Sequence, residues 1–174
     1  IANRYAATNQ FYFQMFNDAA YTEVFTTSDF IDEGSWQHVA IVVESDGTTS
    51  IYKNGDLDTT KALTMAYDDH TRTLNYIGGK TYAGDSHEGL LDEFRVWEEA
   101  RSQAEIRNNM YGTLNGQEDN LKVYVVMGES DGTSTAHEKV DNQDGTLTNM
   151  TGNEWEASFT PYTLTVDDPT NGSV

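Results

Sequence analysis

Two tight-turn dipeptides in quick succession constrain the fold of this chain more than any other feature. Asp46-Gly47 and Asn54-Gly55 each stand between short stretches of apolar and β-branched residues. In that setting such a pair favours the two-residue turn of a β-hairpin, whose central residues need positive φ angles. Two consecutive hairpin turns predict an antiparallel meander rather than a parallel sheet with helical crossovers.

The segment before the first turn predicts a strand inside a packed sandwich. At period two, Trp36, His38 and Val42 share one face, whereas Ile41 and Val43 share the other. Both faces are largely apolar, which is typical of a strand that is covered on both sides.

Residues 89–97 predict a second buried strand with one unusual feature. One face carries Leu90, Phe94 and Val96, with a single acid, Asp92, among them. An ionised carboxylate in apolar surroundings is costly unless it is paired, hydrogen-bonded or bound to a metal. Two interpretations therefore stand side by side: Asp92 accepts main-chain hydrogen bonds and fixes a loop, or it binds a cation.

A short helix is predicted directly after this strand. Ser102, followed three residues later by Glu105, forms the pattern of a capping box. The helix should therefore lie near residues 102–110.

These segments together resemble the laminin-G-like family of the concanavalin A-like lectins and glucanases. Residues 89–97 are similar to its G-x-(I/L)-D-E-(F/V)-R-(V/I)-W strand, and residues 34–40 to its G-x-W-x-H-V-A strand. Residues 52–55 resemble its Y-x-N-G hairpin, and residues 76–79 its I-G-G strand end. The resemblance implies an all-β fold, a two-sheet antiparallel β-sandwich of the jelly-roll type with one short helix.

The resemblance also implies a domain organisation. Residues 1–158 would form the jelly-roll domain, and residues 159–174, which resemble the start of an internalin-type repeat, would be a linker or open the next domain. The family's first strands should precede Ile1, and we expect a preceding segment of the same parent protein to supply them. There are two alternatives. Another chain could donate the strands, or the residues present could rearrange into a smaller sandwich in which residues 121–127 take the place of the missing strands.

Composition limits the classes of partner. A net charge of −19 and a pI near 4.2 argue against binding to nucleic acid or to anionic membrane surfaces. The acidity suits a cation-rich exterior, although simple solubility explains it equally well. The absence of cysteine excludes disulfides and thiol chemistry, and no apolar run is long enough for membrane insertion.

Calcium is the predicted cofactor, and the resemblance supplies its ligands. The family often binds Ca²⁺ between the acid of its last strand and an acidic terminal segment, which here implies Asp92, Glu129 and Asp131 as ligands. A second acidic run, residues 141–145, has part of a calcium-loop pattern, but we interpret it as a turn. The histidines lack the spacing of a zinc site.

Candidate ligand-binding and catalytic residues are few. The candidate ligand-binding residues are Asp85, His87 and Glu88, because they lie where pentraxin-like relatives of the family carry ligand-binding acids. Asp92 and Glu93 are adjacent, so in a strand they point to opposite faces and cannot act together as glycosidase carboxylates.

The expected function is a non-enzymatic, extracellular binding or adhesion module of a larger bacterial cell-surface protein. Its expected partners are a glycan first, a cell-surface protein second, and other domains of the same polypeptide. A structural spacer and a glucanase-type hydrolase are the alternatives. Eight residues are predicted to be largely buried: Trp36, His38, Val42, Ile51, Tyr76, Phe94, Val96 and Trp97.

Overall fold

The computed structural model describes residues 2–5, 8–17, 20–63, 75–79, 87, 89–129 and 133–148. Across these ranges the chain is built from strands in antiparallel pairs and one short helix, which confirms the predicted all-β fold. In chain order the elements are β1 (Ala2–Tyr5), β2 (Gln10–Asn17), β3 (Ala20–Phe25), β4 (Val39–Val43), β5 (Thr48–Lys53), β6 (Asp56–Ala62), β7 (Phe94–Trp97), α1 (Gln103–Asn109), β8 (Leu121–Val125), β9 (Thr135–Ala136) and β10 (Gly145–Thr146).

The predicted meander is present as the sheet β4–β5–β6. Val39 pairs with Lys53 and Val43 with Thr49, and β5 continues into β6 through the second turn. The second turn has the predicted left-handed backbone at both central residues, with φ of +50° at Asn54 and +80° at Gly55. In the first turn only Gly47 is left-handed, with φ of +85°.

A second sheet, β1–β2–β3, packs against the meander. Phe13 of β2 pairs with Val24 of β3, and Val24 is buried against Ile51 of β5. Burying each such side chain contributes roughly 1.5–3 kcal/mol, so this contact holds the two sheets together. The buried cluster between these two sheets consists of Val24, Phe30, Ile51 and Leu63, with Phe11, Phe13, Met15, Ile31 and Val39 partly buried beside them.

Strand β7 pairs with β8, but its two faces are the reverse of the prediction. Glu93 has a left-handed backbone (φ +54°), so the strand begins only at Phe94 and the alternation does not run through from residue 89. Phe94 and Val96 are 36% and 42% exposed, whereas the side chain of Arg95 is only 9% exposed.

The reason for this reversal is the set of partners on the inner face. Arg95 forms an ion pair with Glu93 and donates hydrogen bonds to the carbonyls of Asn109, at 2.7 Å, and Gly112. Its guanidinium also lies 5.3 Å from the ring centroid of Tyr124. A buried guanidinium needs hydrogen-bond acceptors, and the carbonyls at the end of α1 and just after it supply them. This part of the chain therefore fixes which face of β7 turns inward.

The helix is the element that ties the meander to β7. It begins with the predicted capping box, since Glu105 N–H donates to the Ser102 hydroxyl and the Glu105 carboxylate accepts from Ser102 N–H. The carbonyl of Gly55, at the β5–β6 turn, accepts hydrogen bonds from Gln103 at 2.8 Å and from Arg107 at 3.1 Å.

The predicted set of buried residues is only partly correct. Val42 and Ile51 are buried, as predicted, and His38 and Trp97 are partly exposed. The prediction is wrong for four residues: Trp36 (45% exposed), Tyr76 (54% exposed), Phe94 and Val96. Trp36 lies before β4 begins, and Tyr76 lies in residues 75–79, which form no strand, so a strand alternation does not apply to either.

Candidate functional site

The face of β2 and β3 that points away from the core carries two aromatic pairs. Because Phe11 and Phe13 pack into the core, the alternate side chains of β2 lie on the opposite face. The antiparallel register places Tyr12 opposite Phe25, and Phe16 opposite Tyr21. Between them, Gln14 faces Glu23. We call this face the aromatic strip and define it by six residues: Tyr12, Gln14, Phe16, Tyr21, Glu23 and Phe25.

Both aromatic pairs are in contact and open to solvent. The rings of Tyr12 and Phe25 have centroids 5.3 Å apart, and those of Phe16 and Tyr21 are 5.7 Å apart. Phe16 and Tyr21 are 48% and 58% exposed, whereas Tyr12 and Phe25 are partly exposed on the wall of an open depression. Cross-strand aromatic pairs stabilise a sheet, but their exposed faces remain available to a ligand.

Hydrogen bonds hold the polar side chains of this region in place. The Gln14 amide donates to Glu23 Oε2 at 2.7 Å. At the end of the depression, the Gln10 amide donates to the Thr26 carbonyl at 2.5 Å and accepts from the Thr8 hydroxyl at 2.6 Å. Side chains held in this way lose little further conformational entropy when a ligand binds.

This arrangement can bind a sugar but lacks the carboxylate pair of a hydrolase. Aromatic faces pack against the apolar face of a sugar ring, and the amide and carboxylate between them can bond to its hydroxyls. Glycoside hydrolysis requires two carboxyl groups across the scissile bond, whereas the strip contains only Glu23. The sequence did not single out this face because β2 carries aromatic residues on both faces, so its aromatic residues alone do not show which face is outside.

The two predicted calcium ligands that the structure describes lie at the same end of the β7–β8 pair. Beyond the paired residues, Glu93 N–H still donates to the Val126 carbonyl, at 3.5 Å, which places Asp92 beside the segment that leads to Glu129. Asp92 Oδ1 accepts from Glu93 N–H at 2.8 Å, as the loop-fixing interpretation predicts.

Glu129 has one oxygen that a cation could satisfy. Its Oε1 accepts from His137 N–H at 2.7 Å, and its Oε2 is buried with no hydrogen-bond partner in the described part of the chain. Asp131 lies outside the described residues. Within them, no group of three or more ligating side chains is close enough to hold a metal ion. The donor chemistry of Asp92 and Glu129 thus suits Ca²⁺, but a complete site is not present in the described ranges.

Of the three predicted ligand-binding residues, the structure describes only His87. Its N–H donates to the Gly78 carbonyl at 2.8 Å, and its exposed ring lies over Gly89, with Nε2 3.4 Å from the Leu90 carbonyl oxygen. Asp85 and Glu88 lie outside the described residues, so the predicted grouping of the three stays a prediction.

Hydrogen bonds hold the second acidic run, residues 141–145, and the neighbouring Glu138 in place. Glu138 is 4% exposed, and its carboxylate accepts the N–H groups of Tyr124, Val140 and Asp141 at 2.7–2.9 Å. Burial alone would raise the pKa of Glu138, but these N–H donors outweigh it and hold the pKa below its usual value. Asp144 accepts in turn from Glu138 N–H at 3.0 Å. The carboxylates of Glu138 and Asp144 are thus used within the fold.

Glu93, next to the predicted calcium ligand Asp92, is also used within the fold. It pairs with Arg95 and accepts from the Tyr124 hydroxyl at 3.0 and 3.1 Å. Burial of Tyr124, together with its hydrogen bond to Glu93, raises the pKa of that phenol despite the hydrogen bond from Leu114 N–H. The tyrosine therefore stays neutral and donates to Glu93 at physiological pH.

Comparison with known proteins identifies the family. Residues 1–107 match the laminin-G-like model of the concanavalin A-like lectin/glucanases superfamily, and the chain belongs to this family. Among solved structures, it is similar to a proposed carbohydrate binding protein from Bacteroides ovatus ATCC 8483, with 20% sequence identity and a TM-score of 0.59. That match covers 79% of this chain and 42% of the other, so this chain spans less than half of that protein.

A second solved structure matches more distantly. It is an S-layer domain-containing protein (residues 221–444) from Clostridium thermocellum ATCC 27405, with 21% identity, a TM-score of 0.33, and coverage of 57% of this chain and 51% of the other. No curated protein matches the sequence. In the described residues, no helix has the length and apolar character needed to cross a membrane.

Proposed function

We propose that this chain is a non-enzymatic glycan-binding module and that the aromatic strip is its binding face. The observation that carries the proposal is the order of side chains along β2 and β3: an aromatic pair, a hydrogen-bonded amide and carboxylate, and a second aromatic pair. This face is open, while the opposite face of the same strands packs into the core. The family and the Bacteroides ovatus protein, whose description is carbohydrate binding, support the same class of ligand.

Two features favour binding over hydrolysis. The strip carries one carboxylate, and Glu93 is held by Arg95 and Tyr124. A glucanase would need a second carboxyl group roughly 5–9.5 Å from the first, across the bound sugar.

The proposal includes the setting of the module. We place it outside the cell, as an adhesion domain within a larger surface protein, bound to a glycan or to a cell-surface protein that carries one. The net charge of −19 is compatible with a salt-rich exterior, where cations screen the acids. We also propose that Ca²⁺ stabilises the domain at Asp92 and Glu129, since the unpaired Glu129 Oε2 is an oxygen that a cation would satisfy.

A glycan array tests the proposed function. The parent protein should bind a defined set of glycans, and Tyr12→Ala combined with Tyr21→Ala should abolish that binding because one ring of each aromatic pair is lost. Tyr111→Ala is the matched control, since Tyr111 is 52% exposed and lies outside the strip. Melting curves of all three proteins check that each is folded.

Two results would contradict the proposal. If the folded parent binds no glycan, the spacer interpretation is favoured. If the double variant binds as the parent does, the site lies elsewhere.

A further inference from the structure

We infer that the aromatic strip selects a linear, uncharged glycan of at least three sugar units, an inference that rests on the proposed function. The strip gives three observations about its ligand: its length, its shape and its charge. Each limits a different property of the glycan.

The length of the strip excludes a single sugar as the full ligand. Tyr12 and Phe16 are four residues apart on β2, which corresponds to about 14 Å at the usual rise of an antiparallel strand. A pyranose ring is similar in size to one aromatic ring, so a sugar stacked at Tyr12 and Phe25 cannot also reach Phe16 and Tyr21. Contact with both pairs requires one sugar at each end and at least one between them.

The shape of the strip favours an unbranched chain. Both aromatic pairs lie across the same two strands, so the stacking positions follow one straight line along β2 and β3. Gln14 and Glu23 occupy the middle of that line and can bond to the hydroxyls of the central sugar. A branch on the side of the central sugar that faces this pair would have to displace it or leave its groups desolvated without partners, which is costly.

The charge of the strip selects against acidic glycans. None of its six side chains is basic, and its one charged group is the Glu23 carboxylate. The ammonium group of Lys61 lies against β3, and it donates to the main-chain carbonyl of Glu23 at 2.7 Å. A uronic or sulfated sugar on the strip would thus face a like charge with no compensating partner there, in a protein whose net charge is −19.

A neutral sugar meets no such penalty and gains a strong acceptor. Glu23 Oε2 accepts from Gln14, and Oε1 has no donor among the described residues. A sugar hydroxyl that donates to Oε1 would form a charge-assisted hydrogen bond, which is stronger than a neutral one.

The test is the glycan array read at low and high salt, followed by calorimetric titration with the strongest hit at lengths from one to five units. We expect the hits to be unbranched and uncharged, and the signal to change little with salt, because no charge pairing contributes to binding. Affinity should rise at least tenfold between two and four units and then level off. Tyr12→Ala and Tyr21→Ala should each weaken the tetrasaccharide about tenfold, whereas Tyr111→Ala should not.

Different failures identify which statement is wrong. Hits among uronic or sulfated glycans, or equal affinity for a monosaccharide and a tetrasaccharide, would overturn this inference and leave glycan binding intact. A folded parent that binds no glycan would overturn both. Length-dependent binding that neither single variant weakens would show that the strip does not bind the chain.

Discussion

His38 shows how burial changes the chemistry of one residue. The strand pattern predicts that His38 is largely buried, and its main-chain N–H donates to Asn54 Oδ1 at 2.8 Å. Its ring Nδ1, however, is buried with no hydrogen-bond partner in the described residues. Burial disfavours the imidazolium, and the nearby charge of Arg95 adds to this, so the pKa of His38 is lowered to about 4.

This shift predicts a loss of stability in mild acid. Between the folded pKa of about 4 and the unfolded value of 6.5, the unfolded chain binds more protons, so stability falls as pH falls through this window. The expected loss from His38 is about 2 kcal/mol between pH 7 and pH 5. Urea unfolding of the parent and of His38→Gln at both pH values measures it. An equal loss in the variant would mean that His38 does not cause the pH dependence.

At the level of elements, the β5–β6 turn is a junction rather than a simple hairpin end. The sequence predicts its left-handed backbone from Asn54-Gly55 alone, and the structure agrees, with φ of +50° and +80°. What the sequence does not show is that α1 docks there. The Gly55 carbonyl accepts from Gln103 and Arg107, and a Cβ at Gly55 would lie 2.5 Å from the Arg107 Cγ.

Gly55→Ala should therefore destabilise the fold by two separate effects. The left-handed backbone costs about 1–2 kcal/mol for a residue with a Cβ, and displacement of Arg107 should add about 1 kcal/mol through its lost hydrogen bond. Gly34→Ala is a matched control, because Gly34 has φ of +78° and nothing within 4 Å of an added Cβ. Chemical unfolding should show a larger loss for Gly55→Ala; equal losses would mean that the contact with α1 contributes nothing.

At the level of the whole molecule, local signals predicted the elements, but not which faces are buried. The turn dipeptides correctly predicted the meander, and the capping box correctly predicted the helix, because a turn and a helix cap each depend on a few adjacent residues. The faces of β7 could not be predicted from its own alternation. They depend on Arg95 meeting carbonyls at Asn109 and Gly112, which are distant in sequence.

The candidate site was missed for a related reason. Alternation shows that Tyr12 and Phe13 lie on opposite faces, but both are aromatic. Only the position of the core partners Val24 and Ile51 decides that Phe13 packs inward and Tyr12 remains on the open face.

Calcium dependence is a prediction for the whole domain. If Asp92 and Glu129 bind Ca²⁺ in the folded state only, added Ca²⁺ should raise the melting temperature, because a ligand that binds only the folded form stabilises it. Asp92→Asn should remove most of that rise. Scanning calorimetry with Ca²⁺ and with chelator measures both, and an unchanged melting temperature, or an equal response in Asp92→Asn, would reject the assignment.

The position of the bound glycan on the fold is the most direct test of the proposed binding face. Amide chemical shifts of the isotope-labelled protein, followed by NMR during titration with the strongest neutral glycan from the array, give that position residue by residue. We predict that the largest changes fall on residues 12–16 and 21–25, where the aromatic strip lies. Changes centred instead on the loop that contains His87, with β2 and β3 unaffected, would contradict the proposal.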